Sequence, residues 1–287
     1  MKTVLILGAN GQLGKCIEDA SNNAKNIDWI FTNSDEVDVT SSFEPQQCFN
    51  SKRIDYCINC AAYTNVEKAE SEKEKAFLIN AEAIKFLAEI CKRNNTVLIH
   101  FSTDYVFEGT AQMPYKETDP SHPLNVYGAS KLKGELYIRE NANRYFIFRT
   151  SWLYSQYGHN FYNTILKKAG NSEDLNITTA QTGTPTNANH LANFIVKLIE
   201  EENSTYGLYH YSNAGETTWY GFAEEILRVA GLQDKINLNK DNSFKTIAVR
   251  PEYSVLDKSK LLNTFNIQLS SWQEGIRELY ENFSISD

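Results

Sequence analysis

Short apolar runs alternate with amphipathic stretches through the first half of the chain. That rhythm predicts strands alternating with helices. The strand candidates are Thr3–Leu7, Trp29–Thr32, Tyr56–Asn59, Thr96–Ser102 and Tyr145–Thr150. Each is short, apolar and rich in β-branched or aromatic residues, as strands covered on both faces should be. The clearest helical stretch runs from about Lys73 to Arg93, where Phe77, Ala81, Ile84, Ala88 and Cys91 recur at spacings of three and four with charged residues between. The alternation predicts an α/β fold: a Rossmann-type doubly wound parallel sheet with right-handed crossovers. After about Thr150 the apolar runs shorten, and turn formers such as Gly183-Thr184-Pro185-Thr186-Asn187 interrupt them. Helical patterns return at His190–Glu201, Tyr220–Val229 and Ser271–Phe283. We expect residues 1–150 to form a dinucleotide-binding domain. Residues 151–287 should form mainly a smaller α/β substrate-binding lobe over the carboxyl edge of the sheet, with later segments crossing back.

A chain of 287 residues with 41% hydrophobic content supports a large core. The net charge of -8 argues against a nucleic-acid partner, which needs clustered Lys and Arg. It leaves room for a small anion held by a few amides and cations. No signal peptide and no run of about 18 apolar residues is seen, so no membrane segment is expected and the protein is placed in the cytoplasm. The five cysteines are Cys16, Cys48, Cys57, Cys60 and Cys91. Cys57 and Cys60 have CxxC spacing, but they sit inside an apolar run that reads as a buried strand, with no second pair to complete a metal site. An odd, scattered set fits a reducing compartment.

Gly8-Ala9-Asn10-Gly11-Gln12-Leu13-Gly14 follows the first strand and opens a helix. Gly8 permits a sharp turn, Gly11 a close backbone approach to a pyrophosphate, and Gly14 tight helix–sheet packing. The helix start then offers free amides to phosphates. The cofactor this predicts is NADPH or NADH. The second strand ends at Phe31-Thr32-Asn33 without an acid or base to choose between them, and Thr32, Asn33 and Ser34 suit either. Asp38 is positioned to accept from an adenine amino group, or else to cap the helix near Phe43.

Tyr127 and Lys131 lie one helical turn apart, so they share a face. A lysine charge there favours the phenolate and lowers a pKa that is ordinarily near 10. Ser102-Thr103 ends the fourth strand, and Thr103 is placed to hydrogen-bond a substrate oxygen. The chemistry that fits is ketone reduction, with hydride from a nicotinamide and a proton from Tyr127.

These motifs, with Asn59-Cys60-Ala61-Ala62, resemble the extended short-chain dehydrogenase/reductase superfamily. More closely, several segments resemble the dTDP-4-dehydrorhamnose reductase family. They are Gly11–Gly14, Ala61–Glu70, Ser102–Gly109, Tyr127–Lys131 with Gly134-Glu135, Arg149–Tyr154, Gly183–Thr186 and Arg250-Pro251, and together they span nearly the whole chain. The resemblance implies an NAD(P)H-dependent reductase that converts dTDP-4-dehydro-β-L-rhamnose to dTDP-L-rhamnose. By position it gives Thr103, Tyr127 and Lys131 the catalytic roles. Cofactor contacts fall at Gly8, Asn10, Gly11, Gln12, Leu13, Gly14, Asp38, Val39, Ala61, Ala62 and Tyr63, as well as at Tyr127 and Lys131. Substrate contacts fall at Val66, Thr103, Tyr105, Tyr127, Trp152 and Arg250. Some relatives dimerise through a magnesium site built from glutamates, one of them just after the glycine loop. Here that stretch reads Gly14-Lys15-Cys16-Ile17, poor ligands for a hard cation, so no metal is predicted and the chain is expected to be a monomer or a homodimer. The rival readings are another nucleotide-sugar 4-ketoreductase or epimerase, and a non-catalytic regulatory subunit of the methionine adenosyltransferase type.

Overall fold

The computed structural model describes residues 1–24, 26–243 and 245–283. Its central sheet has six strands: β1 Lys2–Leu7, β2 Ile27–Thr32, β3 Tyr56–Asn59, β4 Val97–Thr103, β5 Tyr145–Thr150 and β6 Gly207–His210. The order is β6-β5-β4-β3-β1-β2 and every pairing is parallel. The doubly wound sheet is therefore as expected, with the first five strands within two residues of their expected bounds. The sixth strand comes from the second half of the chain and is not apparent in the pattern. Gly207-Leu208-Tyr209-His210 is too short and too mixed to stand out as a buried strand.

Successive residues of a strand face opposite sides, and both sides here are covered. Val4 and Ile6 of β1 and Phe146 and Phe148 of β5 pack on one side with Ile17 of helix Gln12–Ser21 and Leu191 of helix Ala188–Glu200. Leu5, Leu7 and Ile147 pack on the other with Leu87 of helix Ala83–Arg93 and Ile138 of helix Val126–Asn141. This double coverage explains runs that are apolar throughout rather than alternating. A further core holds Tyr162, Ile165, Phe222, Ile226, Ile276 and Leu279 from the three helices Phe161–Gly170, Trp219–Val229 and Trp272–Phe283.

The long helix expected over 73–93 is interrupted. Lys73–Phe77 is α-helical, Leu78–Glu82 is a π-turn, and Ala83–Arg93 is α-helical again. Spacing alone does not show the widened turn, which sets Asn80 facing inward. The chain leaves β1 for β2 on one side and reaches β3 on the other. The crevice between the carboxyl ends of β1 and β3 is thus a topological switch point, where ligands of such sheets bind. No helix among the described residues is long and apolar enough to cross a membrane.

Candidate active site

The glycine loop closes against the end of β3. Gly8 has φ +75°, and a Cβ there would lie 2.7 Å from the Ala61 backbone N. A Cβ on Gly14 would lie 2.5 Å from the Ala9 carbonyl. Both positions need glycine, the first for turn and approach, the second for helix packing. Gly11 caps helix Gln12–Ser21 with no side-chain hydrogen bond, and no acid occupies the first turn. The amides of Gln12, Leu13 and Gly14 are therefore left to an outside acceptor, at the positive end of the helix dipole. This cradle fits the diphosphate of a dinucleotide. Leu13 itself points into the core, so its amide is the part that faces a ligand. Asn10 is exposed, and Gln12 accepts from Asn160 Nδ2 at 2.7 Å, tying in a loop from the second half.

Beyond β2 the assignments shift. The Thr32 hydroxyl is buried and donates to the Ile6 carbonyl at 2.9 Å, so its proton is not free for a ribose. Asp38 is exposed and accepts from the Thr40 N–H and hydroxyl, both at 2.8 Å. Asp38 does not cap the following helix, Glu44–Ser51. Phe43 stands at its cap position without a side-chain hydrogen bond, and Ser41 Oγ, just ahead of the helix, accepts from Phe43 N at 3.3 Å and Glu44 N at 3.2 Å. Val39 is partly buried against the core beside β1.

Helix Val126–Asn141 carries Tyr127 and Lys131, and its start is pinned from two sides. Asn125 caps it by accepting from Gly128 N at 2.8 Å, and donates to the Val249 carbonyl at 2.8 Å. Glu70 accepts from Val126 N at 2.8 Å. Two glycines allow it to seat: a Cβ on Gly128 would lie 2.1 Å from the Tyr105 carbonyl, and one on Gly134 2.2 Å from the Asn80 carbonyl. Asn80 is fully buried. It accepts from Tyr63 N and donates to the Tyr63 carbonyl, each at 2.9 Å, and donates to Ser130 Oγ at 3.0 Å. Asn80 thus joins the end of β3 to helix Val126–Asn141. Asn80 was not among the expected site residues, because its role depends on the π-turn. The Tyr63 hydroxyl donates to Glu72 at 2.9 Å, which leaves the Tyr63 ring a wall of the site.

Tyr127 and Thr103 come together as expected, with Tyr105 edge-on to Tyr127 at a ring distance of 6.0 Å. Burial pushes the Tyr127 phenol up to about 12, the Thr103 hydroxyl beside it draws it down, and the Asp104 carboxyl raises it further. The expected downward push from Lys131 is not seen. The Lys131 amine is 3.3 Å from His100 Nε2 instead, at a buried position. Ala61 N–H donates to Asn59 Oδ1 at 3.2 Å, which turns the Asn59 amide nitrogen toward His100 Nδ1 at 3.1 Å. That chain puts the imidazole proton on Nε2, facing the lysine. It favours a neutral amine, and burial likewise lowers Lys131 from 10.5 to about 8. His100 is held neutral by burial and by the lysine beside it. His100 lies within a predicted strand, where a lone histidine shows no signal in the sequence.

Ser102 turns away from this group. Its hydroxyl donates to Glu135, which forms a buried pair with Arg149 at 2.7 Å. The rim is built differently. Val66 is partly buried at the start of a helix, Val66–Ala69, capped by Asn65. Trp152 has φ +45° and stacks on Trp219 at 3.7 Å, and Gly183 leaves room for its ring. Arg250, expected on a diphosphate, pairs with Glu67 at 2.7 Å, while Glu67 also accepts from Ile247 N and Ala248 N. The Arg250 Nε is buried without a partner. Cys57 and Cys60 face opposite sides of the sheet, so the CxxC is no dithiol site. Cys16 is fully buried, and burial pushes its thiol up to about 12. Among the described residues no cluster of three or more His, Cys, Asp or Glu is placed to hold a metal.

The family model described as RmlD substrate binding domain matches residues 1–285. The dTDP-4-dehydrorhamnose reductase of Aggregatibacter actinomycetemcomitans is 35% identical over 289 residues, covering 97% of this chain and 98% of that protein. The enzyme of the same name from Escherichia coli K12 is 36% identical, covering 96% of each chain. Among solved structures, a dTDP-4-dehydrorhamnose reductase from Bacillus anthracis in complex with NADP superposes with a TM-score of 0.93 at 37% identity, over 98% of this chain and 100% of that one. A UDP-glucose 4-epimerase from Thermotoga maritima, at 16% identity and a TM-score of 0.82 over 98% of each chain, shares the fold.

Proposed function

The chain belongs to the dTDP-4-dehydrorhamnose reductase family, and we propose that it reduces the 4-keto group of dTDP-4-dehydro-β-L-rhamnose to give dTDP-L-rhamnose, with Tyr127 as the proton donor. The observation that carries this reading is the meeting of Tyr127 and Thr103 at the carboxyl end of β4, on a helix seated by Gly128 and Gly134, beside a glycine loop that leaves its helix amides free. NADPH or NADH supplies the hydride when bound. Gly8 to Gly14 and Ala61 to Tyr63 are the residues that would hold it.

The chain's own task is to manage the proton and the charge. As the ketone oxygen gains charge, the Tyr127 proton moves to it. An acid pushed up to about 12 suits that step, because it keeps its proton at neutral pH until an alkoxide forms. Lys131, one turn away and held toward His100 here, would supply charge to the phenolate left behind only with its amine protonated and turned from the imidazole. Val66, Tyr105 and Trp152 would line the deoxy sugar with apolar surface. Arg250 would meet the diphosphate by exchanging Glu67 for it, a swap between equivalent charge-assisted bonds. The five free cysteines suit a cytoplasmic enzyme, as a monomer or a homodimer.

The test is a spectrophotometric assay of NADPH and NADH oxidation with purified dTDP-4-dehydrorhamnose. Stoichiometric oxidation with formation of dTDP-L-rhamnose is expected. Binding of cofactor without turnover would favour a regulatory protein, and sugar isomerisation without net oxidation an epimerase.

A further inference from the structure

The steps above leave one buried acid without a task. Asp104 follows Thr103 in the short turn Asp104–Val106 and is 2% exposed. One carboxyl oxygen lies 3.0 Å from the Thr103 hydroxyl. The other has no hydrogen-bond partner of proper geometry, although the Ser254 hydroxyl is close. The Tyr105 and Asp104 backbone N–H groups and the Tyr127 and Tyr105 phenols complete its surroundings. Among the described residues it has no ion-pair partner. The nearby Glu67–Arg250 pair acts on Tyr105.

The hydrogen-bonding capacity of the Thr103 hydroxyl decides what this acid does. A hydroxyl has one proton and two acceptor positions. Tyr105 N–H occupies one acceptor position, at 3.1 Å. A carboxylate accepts only, so an ionised Asp104 draws the Thr103 proton onto itself. Thr103 then has nothing to donate to a ketone. A protonated carboxyl reverses the bond: it donates to Thr103, whose own proton is freed. Only this arrangement aims a second donor at the oxygen where charge develops.

We propose that Asp104 is a positioning residue which, in its protonated form, turns the Thr103 hydroxyl toward the ketone oxygen, so that Thr103 and Tyr127 both donate to it. This rests on the reductase reading of the same site. Asp104 keeps its proton throughout; hydride goes to the carbonyl carbon and the Tyr127 proton to the oxygen. Burial raises the carboxyl from 3.8 to about 6 against the Ser254 and Thr103 hydroxyls and the Asp104 and Tyr105 N–H groups, which favour the carboxylate, so the protonated form is a minority at neutral pH and grows as pH falls. Substrate covering the site moves that titration higher still. A raised carboxyl is protonated below its pKa, so donation by Thr103 is present at lower pH and lost as pH rises through that value.

Asp104→Asn keeps the shape and stays neutral, with an amide donor in place of the acid. The experiment measures kcat between about pH 5.5 and 8.5 for wild type, Asp104→Asn and Thr103→Val. Alongside it, carboxyl carbon NMR follows Asp104 in the free protein, with Asp104→Asn assigning the signal. Wild-type kcat should fall by about tenfold or more through the Asp104 titration, and both variants should lack that limb. A limb belonging to Lys131 should remain in all three. The Asp104 resonance should titrate near 6. A wild-type limb retained in Asp104→Asn overturns the proposal, as does a resonance titrating near the ordinary aspartate value. If wild type reduces no ketosugar, the reductase reading falls by itself. The carboxyl titration then still decides whether Asp104 is held protonated.

Discussion

The floor of the site and its rim are held by different means. The floor residues Thr103, Tyr127 and Lys131 stand on a central strand and a long helix. Buried side-chain bonds back them, from Asn80 to Tyr63 and Ser130, and from Asn59 through His100 to Lys131. Two glycines seat the helix against backbone carbonyls. The rim residues Trp152 and Arg250 stand on irregular segments. Trp152 adopts a left-handed backbone that costs a non-glycine residue about 1 kcal/mol. Arg250 is held by a partly exposed ion pair with Glu67. The floor has one arrangement, built to keep reacting atoms in place. The rim as proposed is made of contacts that a charged sugar nucleotide would exchange. Changes to the floor should therefore act on kcat and stability, and changes to the rim on KM.

Tyr127→Phe gives the largest test of that division. It removes the hydroxyl proposed as proton donor and leaves the ring packed, so kcat should drop by about a thousandfold in the steady-state assay. NADPH affinity by fluorescence titration should change little. A loss confined to KM would place the donor elsewhere.

Lys131→Met asks whether the floor gives up stability for chemistry. Burial lowers Lys131 from 10.5 to about 8, so the folded state disfavours the charged form. The cost is present in full below pH 8 and fades as pH rises toward 10.5. At neutral pH it is worth about 3 kcal/mol. The methionine variant should thus lose activity and yet resist urea better than wild type at pH 7, with the gap closing in alkaline solution. Equal stability at every pH would show that Lys131 carries no such penalty.

Asn80→Leu should destabilise by about 2–3 kcal/mol in denaturant unfolding, because the Tyr63 N–H and carbonyl lose a buried partner. It should lower kcat as well, since the same residue holds Ser130 on the helix that carries Tyr127 and Lys131.

At the rim, Arg250→Met should raise KM for the sugar nucleotide by about tenfold with kcat nearly unchanged. Glu67→Gln should do the opposite, lowering KM a few-fold by releasing the arginine. A fall in kcat alone for Arg250→Met would assign that residue to the floor and break the comparison.

What the sequence displays follows the same division. Parallel strands covered on both faces are largely apolar, so the inner ones stand out by pattern, and the edge strand β2 stands out by its Trp29-Ile30-Phe31 run. Gly8, Gly14 and the Tyr127–Lys131 spacing stand out because backbone geometry and helix periodicity demand those residues at those intervals. The partners behind them do not. Asn80 faces inward because of a π-turn, His100 is one polar residue in an apolar strand, and Asp104 is an acid in a short turn. Their roles come from pairings 31 to 50 residues apart for His100 with Lys131 and Asn80 with Ser130, and no local pattern announces these. Arg250 shows the reverse failure. Its charge is plain in the sequence, but its pairing with Glu67 across 183 residues is not.

The sixth strand has a consequence for how the chain can be cut. β6 hydrogen-bonds along the outer side of β5, and helix Ala188–Glu200 lies over Phe146 and Phe148. A fragment ending at residue 150 would bare a row of unpaired amides next to two large aromatic side chains, a template for edge-to-edge aggregation. The first 150 residues should therefore fail as a module expressed, swapped or fused alone. During synthesis its outer strand stays unprotected until the ribosome has delivered residue 210.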